Sequence, residues 1–252
     1  MSNNKIALIT GGSRGLGREM ALNVAKKGND VVITYLSNKD KAETVVKEIQ
    51  ALGRKAYAMQ LDARSTNHFD TFLTELAATL QSDRETDKID FLINNAGTGI
   101  YKPFLETTEA DFDEMMNVHL KGVYFLTQKV IPYLNDGGRI INISSGLARF
   151  SLPGSSAYAS MKGGIDVFTR FLAKELAPRK ISAISVAPGA IATDFGDGEN
   201  KSDHKQTIIS NATALGRVGE PEDIGGVIGF LCSDDSRWIN GQRIEVSGGI
   251  FL

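Results

Sequence analysis

Tyr158 and Lys162 stand four residues apart in Tyr158-Ala159-Ser160-Met161-Lys162, and a helix through that stretch stacks phenol and ammonium on one face. Leu172, Ala173 and Leu176 extend an apolar face beyond them, so the helix is long. A free phenol titrates near about 10, and a neighbouring ammonium favours its ionised form. The pair therefore has the makings of an acid/base couple. A solvated helix face can carry the same two residues with no chemistry, and spacing alone does not separate the readings. The elements that bring other groups to this helix decide between them.

The first such element is Lys5 to Thr10, a short apolar run that reads as a strand buried on both faces. It ends in Gly11-Gly12-Ser13-Arg14-Gly15-Leu16-Gly17, after which Leu16, Met20, Val24 and Ala25 recur at helical spacing as far as Gly28. Strand, glycine turn and helix in this order suit a phosphate: the backbone turns sharply, and the helix N-terminus points at the anion. The spacing differs from G-x-G-x-x-G, and a tight turn uses glycines for its own sake. A second strand, Asp30 to Tyr35, runs into Leu36-Ser37-Asn38-Lys39 and a helix with Ala42, Val45, Val46 and Ile49 inside. In a dinucleotide fold that turn faces the adenine ribose, where an acid would select NAD(H). No acid stands there, and Arg14 in the glycine loop can lie nearby and pair with a phosphate, so NADP(H) is expected over NAD(H), the alternative being that Arg14 is a solvated loop cation.

The third strand, Lys55 to Leu61, ends in Asp62-Ala63, where a carboxylate could accept from an adenine amino group; a helix through Phe72, Leu73, Leu76 and Leu80 follows. Ile89 to Ile93 ends in Asn94-Asn95-Ala96-Gly97, small and amide residues that suit a backbone lying against a ligand but also an ordinary turn. One helix is expected from Thr108 to Pro132. Strand five is expected at Arg139 to Ile143, closing on Ser144-Ser145, and strand six at Ile181 to Ala187, closing on Pro188-Gly189. Asp194 to Ala214 is polar with scattered apolar residues, and reads as a mobile lid. A last helix from Pro221 and a strand at Arg243 to Val246 complete the chain. Strands alternating with helices throughout predict one doubly wound α/β domain over residues 1–252, a Rossmann fold with a parallel seven-stranded sheet. Its strands one, four, five and six would open on one carboxyl edge, where such sheets bind ligands.

Composition limits the remaining choices. The 252 residues carry a net charge of −2 and are 42% hydrophobic, enough for a sizeable core and without the basic excess of a nucleic-acid partner. No apolar run is long enough to span a bilayer. Met1-Ser2-Asn3-Asn4-Lys5 has no signal-peptide layout. The single cysteine, Cys232, lies in an apolar segment and reads as a small buried side chain, which fits a cytoplasmic setting. No metal site is expected.

Taken together, TGGSRGLG at Thr10 to Gly17, NNAG at Asn94 to Gly97, the Ser145 to Tyr158 spacing, YASMK, and PGAIAT at Pro188 to Thr193 resemble the short-chain dehydrogenase/reductase family. The resemblance runs along essentially the whole chain, in order. It implies hydride transfer between a nicotinamide and a carbonyl/alcohol pair. Ser145, thirteen residues before Tyr158, matches the family's catalytic serine, with Ser144 next in line. By the same resemblance Tyr158 would donate the proton, and Lys162 would lower the phenol's pKa and hold the nicotinamide ribose. The cofactor would lie along Gly11, Ser13, Arg14, Gly15, Leu16 and Gly17, then Tyr35, Ser37, Asn38, Asp62 and Ala63. Asn95, Ala96, Gly97, Pro188, Gly189 and Ile191 would line its other end, with Thr193 as an anchor for the carboxamide or a phosphate.

Two positions depart from the family pattern. Where N-L-K-G is usual, with an asparagine holding a water that relays protons from the lysine, this chain has His119-Leu120-Lys121-Gly122. Asn117 is no substitute, since helical spacing turns it about 200° away. His119 therefore either takes over the relay or alters it. Val246-Ser247-Gly248-Gly249 lacks the aspartate often found before those glycines, at a position near subunit contacts. The expected substrate is a small carbonyl or alcohol, with 3-oxoacyl carrier-protein reduction as the leading role. Sugar or small-alcohol dehydrogenation is the alternative, and a non-catalytic cofactor sensor is the other class. Phe150, Leu152 and Phe195 would make the pocket partly apolar if they point inward. Family resemblance also implies a homotetramer paired through long helices.

Overall fold

The computed structural model describes residues 4–252, so Met1, Ser2 and Asn3 of the N-terminal reading lie outside the described residues. Seven strands form one parallel sheet: β1 (Ile6–Ile9), β2 (Asp30–Tyr35), β3 (Ala56–Gln60), β4 (Ile89–Asn94), β5 (Leu134–Ile143), β6 (Ser182–Pro188) and β7 (Arg243–Val246), in the order β3-β2-β1-β4-β5-β6-β7. The direction reverses between β1 and β4, and that switch point is where a doubly wound sheet leaves a crevice at its carboxyl edge. Register brings the strand ends together there, with Ile9 beside Ile93 and Asn94 beside Asn142.

The apolar strands are buried because helices cover both faces. On one side α1 (Gly15–Lys26), α2 (Lys39–Ala51) and α8 (Pro221–Leu231) pack Met20, Val45, Ile49 and Ile224 against Ile9, Ile33 and Ile93. On the other α3 (Phe69–Arg84), α5 (Gly122–Val130) and α6 (Ser156–Glu175) pack Phe72, Leu76, Leu126 and Leu172 against Leu8, Leu92 and Ile140. Cys232 is buried in the first of these layers, where its thiol is pushed up to about 12 by desolvation. A third, smaller cluster joins Met115, Tyr158 and Met161 directly beneath the site.

Three elements differ from the reading of the sequence. The helix expected from Thr108 to Pro132 is divided into α4 (Glu109–Met116), a π-helical turn at Asn117–Lys121, and α5. Such a turn inserts one residue into the helical ladder, and no periodicity of apolar residues marks it. Strand β5 starts at Leu134, not Arg139; the register shifts between Ile89 and Phe91 while Gly137 adopts φ +78°, so Asn135-Asp136-Gly137-Gly138, which looks like a turn, is an irregularity within the strand. Segment 194–214 contains a helix, α7 (Asp203–Ala212), with no buried residue; Ser202 caps it by accepting from the backbone N–H of Lys205.

Candidate active site

Tyr158 and Lys162 face the sheet edge from the first turns of α6, and both are buried, at 7% and 5% exposure. The Lys162 ammonium lies 5.5 Å from the Tyr158 ring centroid and donates to the carbonyl of Ile143, the last residue of β5, at 2.7 Å. This bond ties the helix to the strand that delivers the serines. Ser144 is buried, and its hydroxyl donates to the Lys162 carbonyl at 3.4 Å. Ser145 is half-buried; its Oγ accepts from the Leu147 N–H at 3.2 Å, and its hydroxyl acts on Tyr158 by favouring the ionised phenol. The two serines alternate on an extended backbone, so one points into the core and the other to the phenol.

Burial raises the Tyr158 phenol above its usual value, reinforced by Tyr101, while the Ser145 hydroxyl opposes the rise. This reverses the direction expected from Lys162: the lysine is instead pushed down to about 8 by its own desolvation, with Asp166 partly restoring it. The difference follows from geometry, because Nζ spends its contact on the Ile143 carbonyl and a buried phenolate is costly. Tyr158 is therefore held as a protonated donor.

His119 sits in the π-helical turn, 1% exposed, with its ring edge-on to that of Tyr158 at 4.9 Å and 84°. Its Nε2 lies 2.6 Å from the Thr98 carbonyl, which fixes the proton on Nε2 and leaves Nδ1 as an acceptor with no hydrogen-bond partner. Desolvation, then the charge of Lys162, push this imidazole down to about 3, and the bond to Thr98 only partly offsets them. The ring is neutral at any ordinary pH.

The glycine turn fits a diphosphate. Gly11 has φ +68°, and a Cβ there would come within 2.9 Å of Ala96 Cα, so the turn and the end of β4 lie backbone to backbone. Asn95 locks that contact by donating from Nδ2 to the carbonyls of Thr10 (2.9 Å) and Gly11 (3.1 Å), while Thr10 Oγ1 accepts from the N–H groups of Asn95 and Ala96. Arg14 is the extended N-cap residue of α1; no side chain caps the helix and no acid lies in its first turn. Its first N–H groups are thus directed at the cradle, where an anion is favoured. Ser13 and Gly15 line the turn, Leu16 packs down on the core, and Thr193 lies across it, 3.7 Å from where a Gly15 Cβ would be.

The remaining expected cofactor residues surround this cradle with mixed commitments. Tyr35 packs on the core, Ser37 is exposed, and Asn38 caps α2 by accepting from the Lys41 N–H at 3.0 Å. Both carboxylate oxygens of Asp62 are engaged by Arg64, and Ala63 packs beside Gly122. At the far end Gly189 donates to the Val246 carbonyl at 3.0 Å, which holds Pro188 and Gly189 against β7, and Ile191 is buried beside Gly219.

Phe195 points inward, 5.9 Å from the Tyr158 ring, whereas Phe150 packs on Phe251 at 4.8 Å and Leu152 is exposed. Reading the sequence missed Tyr101, whose ring lies 6.2 Å from Tyr158, and Thr98, the partner of His119. Both belong to the loop after β4, where contacts across the fold leave no periodic signal.

Residues 11–250 match the enoyl-(acyl carrier protein) reductase family. A 3-oxoacyl acyl-carrier-protein reductase of Staphylococcus epidermidis is 36% identical over 99% of this chain and 100% of its own. The reductase LugOII, described as promiscuous and as catalysing keto-reduction at C1 during lugdunomycin biosynthesis, superposes with a TM-score of 0.93 at 34% identity over 100% of both chains. The landomycin C-6 ketoreductase LanV, solved with bound NADP and rabelomycin, gives 0.90 at 33% identity over 98% of this chain and 96% of its own. Relatives of this coverage, on a sheet whose switch-point edge gathers a cradle, a serine, a tyrosine and a lysine, make this chain a member of the short-chain dehydrogenase/reductase family, an NAD(P)-dependent oxidoreductase acting on CH–OH groups.

Proposed function

We propose that the protein is an NADP(H)-dependent ketoreductase in which Tyr158 donates the proton. The observation that carries this is the buried Tyr158 phenol, held protonated and backed by the Lys162 ammonium 5.5 Å from its ring. A nicotinamide, when bound, supplies the hydride. Ser145 holds the substrate oxygen beside Tyr158 Oη, and Oη gives up its proton as charge develops on that oxygen. Lys162, still an ammonium at neutral pH with a value near 8, stabilises the phenolate that remains. Lys162 then returns a proton to the phenolate, and His119 Nδ1, a buried acceptor that carries no proton itself, would hold the water that refills Lys162, in place of the asparagine the family pattern leads one to expect.

Preference for NADP(H) is supported by the absence of an acid at Tyr35 to Asn38, by exposed Arg14 at the cradle, and by the NADP bound to LanV. The cofactor would be held by the α1 N-terminus, the Gly11 to Gly17 turn, the strand-end backbone of Asn95 to Gly97, and Thr193. Segment 194–214, which begins with Phe195 over the site, acts as the lid. Exposed Tyr124 and Phe125 on α5 and Val167 and Phe171 on α6 make an apolar stripe suited to pairing helices in a homotetramer. The buried lone thiol fits a cytoplasmic enzyme. Reduction of 3-oxoacyl groups on a carrier protein is the second reading, favoured by the staphylococcal relative.

Tyr158→Phe tests the assignment. Turnover of any ketone found by screening with NADPH oxidation is expected to fall by about 10²–10⁴-fold, with NADPH affinity nearly intact by calorimetry. Retained turnover removes Tyr158 from its role.

A further inference from the structure

We propose that Tyr101 and Phe195 form an aromatic slot over Tyr158 that selects flat ring ketones over flexible acyl thioesters. The proposal rests on the ketoreductase reading and adds the substrate class. Tyr101 lies 6.2 Å and Phe195 5.9 Å from the Tyr158 ring, each inclined at 57°. These are separations of direct aromatic contact. The two rings come from segments far apart in the chain and meet at one glycine: a Cβ on Gly99 would lie 2.9 Å from Tyr101 and 3.1 Å from Phe195. A Cβ on Gly196, at φ +60°, would lie 2.7 Å from the Tyr101 ring. Glycine at both places lets the rings rest on backbone, so their packing fixes them.

Tyr101 and Phe195 keep 42% and 36% of their surface exposed, whereas Tyr158 keeps 7%. A substrate therefore reaches the phenol past these two rings and replaces contacts between them and Tyr158. A planar π-face replaces ring contact with ring contact, while a saturated or linear chain gives up that term and loses more rotamer freedom on ordering. Charge points the same way. Lys102, the only cation between residues 101 and 113, is held by Asp111 at 2.7 Å, and Lys201, the only one from 194 to 201, is held by Asp194. Glu106, Glu109 and Asp113 add negative charge to the same stretch of chain. An uncharged ketone meets no penalty from these carboxylates, while the phosphate of a carrier-protein arm is repelled by them, an effect that the Arg14 and Lys41 charges acting on Asp194 offset in part.

Three ketones test the slot with NADPH: 2-tetralone, 2-decalone and the acetoacetyl thioester of N-acetylcysteamine. The first two share a fused skeleton and an unconjugated carbonyl and differ by one aromatic ring. The expected kcat/KM for 2-tetralone exceeds each of the others by about tenfold, the worth of one ring contact. Phe195→Leu should collapse that ratio to within about threefold through KM, and Phe195→Tyr, which keeps a ring, should hold it. No preference for 2-tetralone in the wild type, or an intact preference in Phe195→Leu, overturns the slot. Calorimetric titration of the three ketones into the NADP-loaded protein reads the same ranking without turnover. Ranked binding without hydride transfer sinks the ketoreductase reading and leaves the slot standing; reduction of all three without ranking does the reverse.

Discussion

At the floor of the site Asn95 donates to the carbonyls of Thr10 and Gly11, Lys162 donates to Ile143, and Gly17 is buried against the Gly11 backbone. Above it, Tyr101 and Phe195 touch Tyr158 across two glycines, each with more than a third of its surface in water. The floor is fixed by side-chain hydrogen bonds to strand-end carbonyls that the sheet register aligns, and the roof by ring contacts between loops. A cofactor common to many enzymes needs the first kind of construction. A substrate peculiar to one needs the second, because loops change without disturbing the sheet.

The sharpest way to break this contrast is to add one methyl to the floor. A Cβ on Gly17 would sit 2.7 Å from Asn95 Nδ2 and closer still to the Gly11 carbonyl. Neither can move without opening the joint between β1 and β4. Gly17→Ala is expected to cost about 1–3 kcal/mol in chemical denaturation and to remove the rise in Tm that NADPH gives the wild type. Gly226 in α8 has nothing within 4 Å of its Cβ position, and there alanine should stabilise by about 0.5–1 kcal/mol. Equal stabilities for the two variants would mean that the floor is no more rigid than the surface.

A smaller effect is expected at the lip of the floor, where Arg14 is exposed at the N-terminus of α1. Arg14→Ala should weaken NADPH by about tenfold, the loss of one charge-assisted bond to phosphate, and leave NADH nearly unchanged. Titration with both cofactors reads this directly. An equal loss for both would place Arg14 on the diphosphate, not on the feature that distinguishes the two cofactors.

Floor and roof were unequally legible from the amino acids. The strand ends, the glycine turn and the helix that carries Tyr158 and Lys162 are legible from local spacing, while the roles of Tyr158, Lys162 and Ser145 are legible only through the motifs that resemble the family. Ser145 is preferred over Ser144 by its family position thirteen residues before Tyr158, and strand alternation then turns the Ser144 hydroxyl to the core. Tyr101 and Thr98 gave no sign, since their partners Phe195 and His119 reach them through folding alone. The π-helical turn was hidden because the apolar spacing reads through it as one helix. The direction of the Tyr158 shift was also missed, because proximity to an ammonium is visible in a sequence and the cost of burial is not.

His119 joins the two regions, packed edge-on to Tyr158 below and bonded to the Thr98 carbonyl of the roof loop above. Its replacement gives the smallest effect and separates two roles. Folded, the imidazole is held near 3, whereas in the unfolded chain it titrates near its ordinary value of about 6.5. The unfolded chain therefore takes up the proton first, and wild-type stability falls as pH drops through about 6.5 toward 3. The depressed carboxylates Asp111, Asp223 and Glu245, each held near 2 by basic or hydroxyl partners, add their own losses mainly below the usual carboxylate range. His119→Asn removes only the imidazole's share, so between pH 6.5 and 4.5 its Tm should fall less steeply than that of the wild type. Parallel curves would mean that His119 is not buried neutral. Activity reads the other role: the variant should keep most of its turnover while its pH profile shifts, since Asn cannot present the same acceptor beside Lys162. An unchanged profile with a flattened stability curve would leave His119 as a tether for the Thr98 loop and take it out of the proton supply.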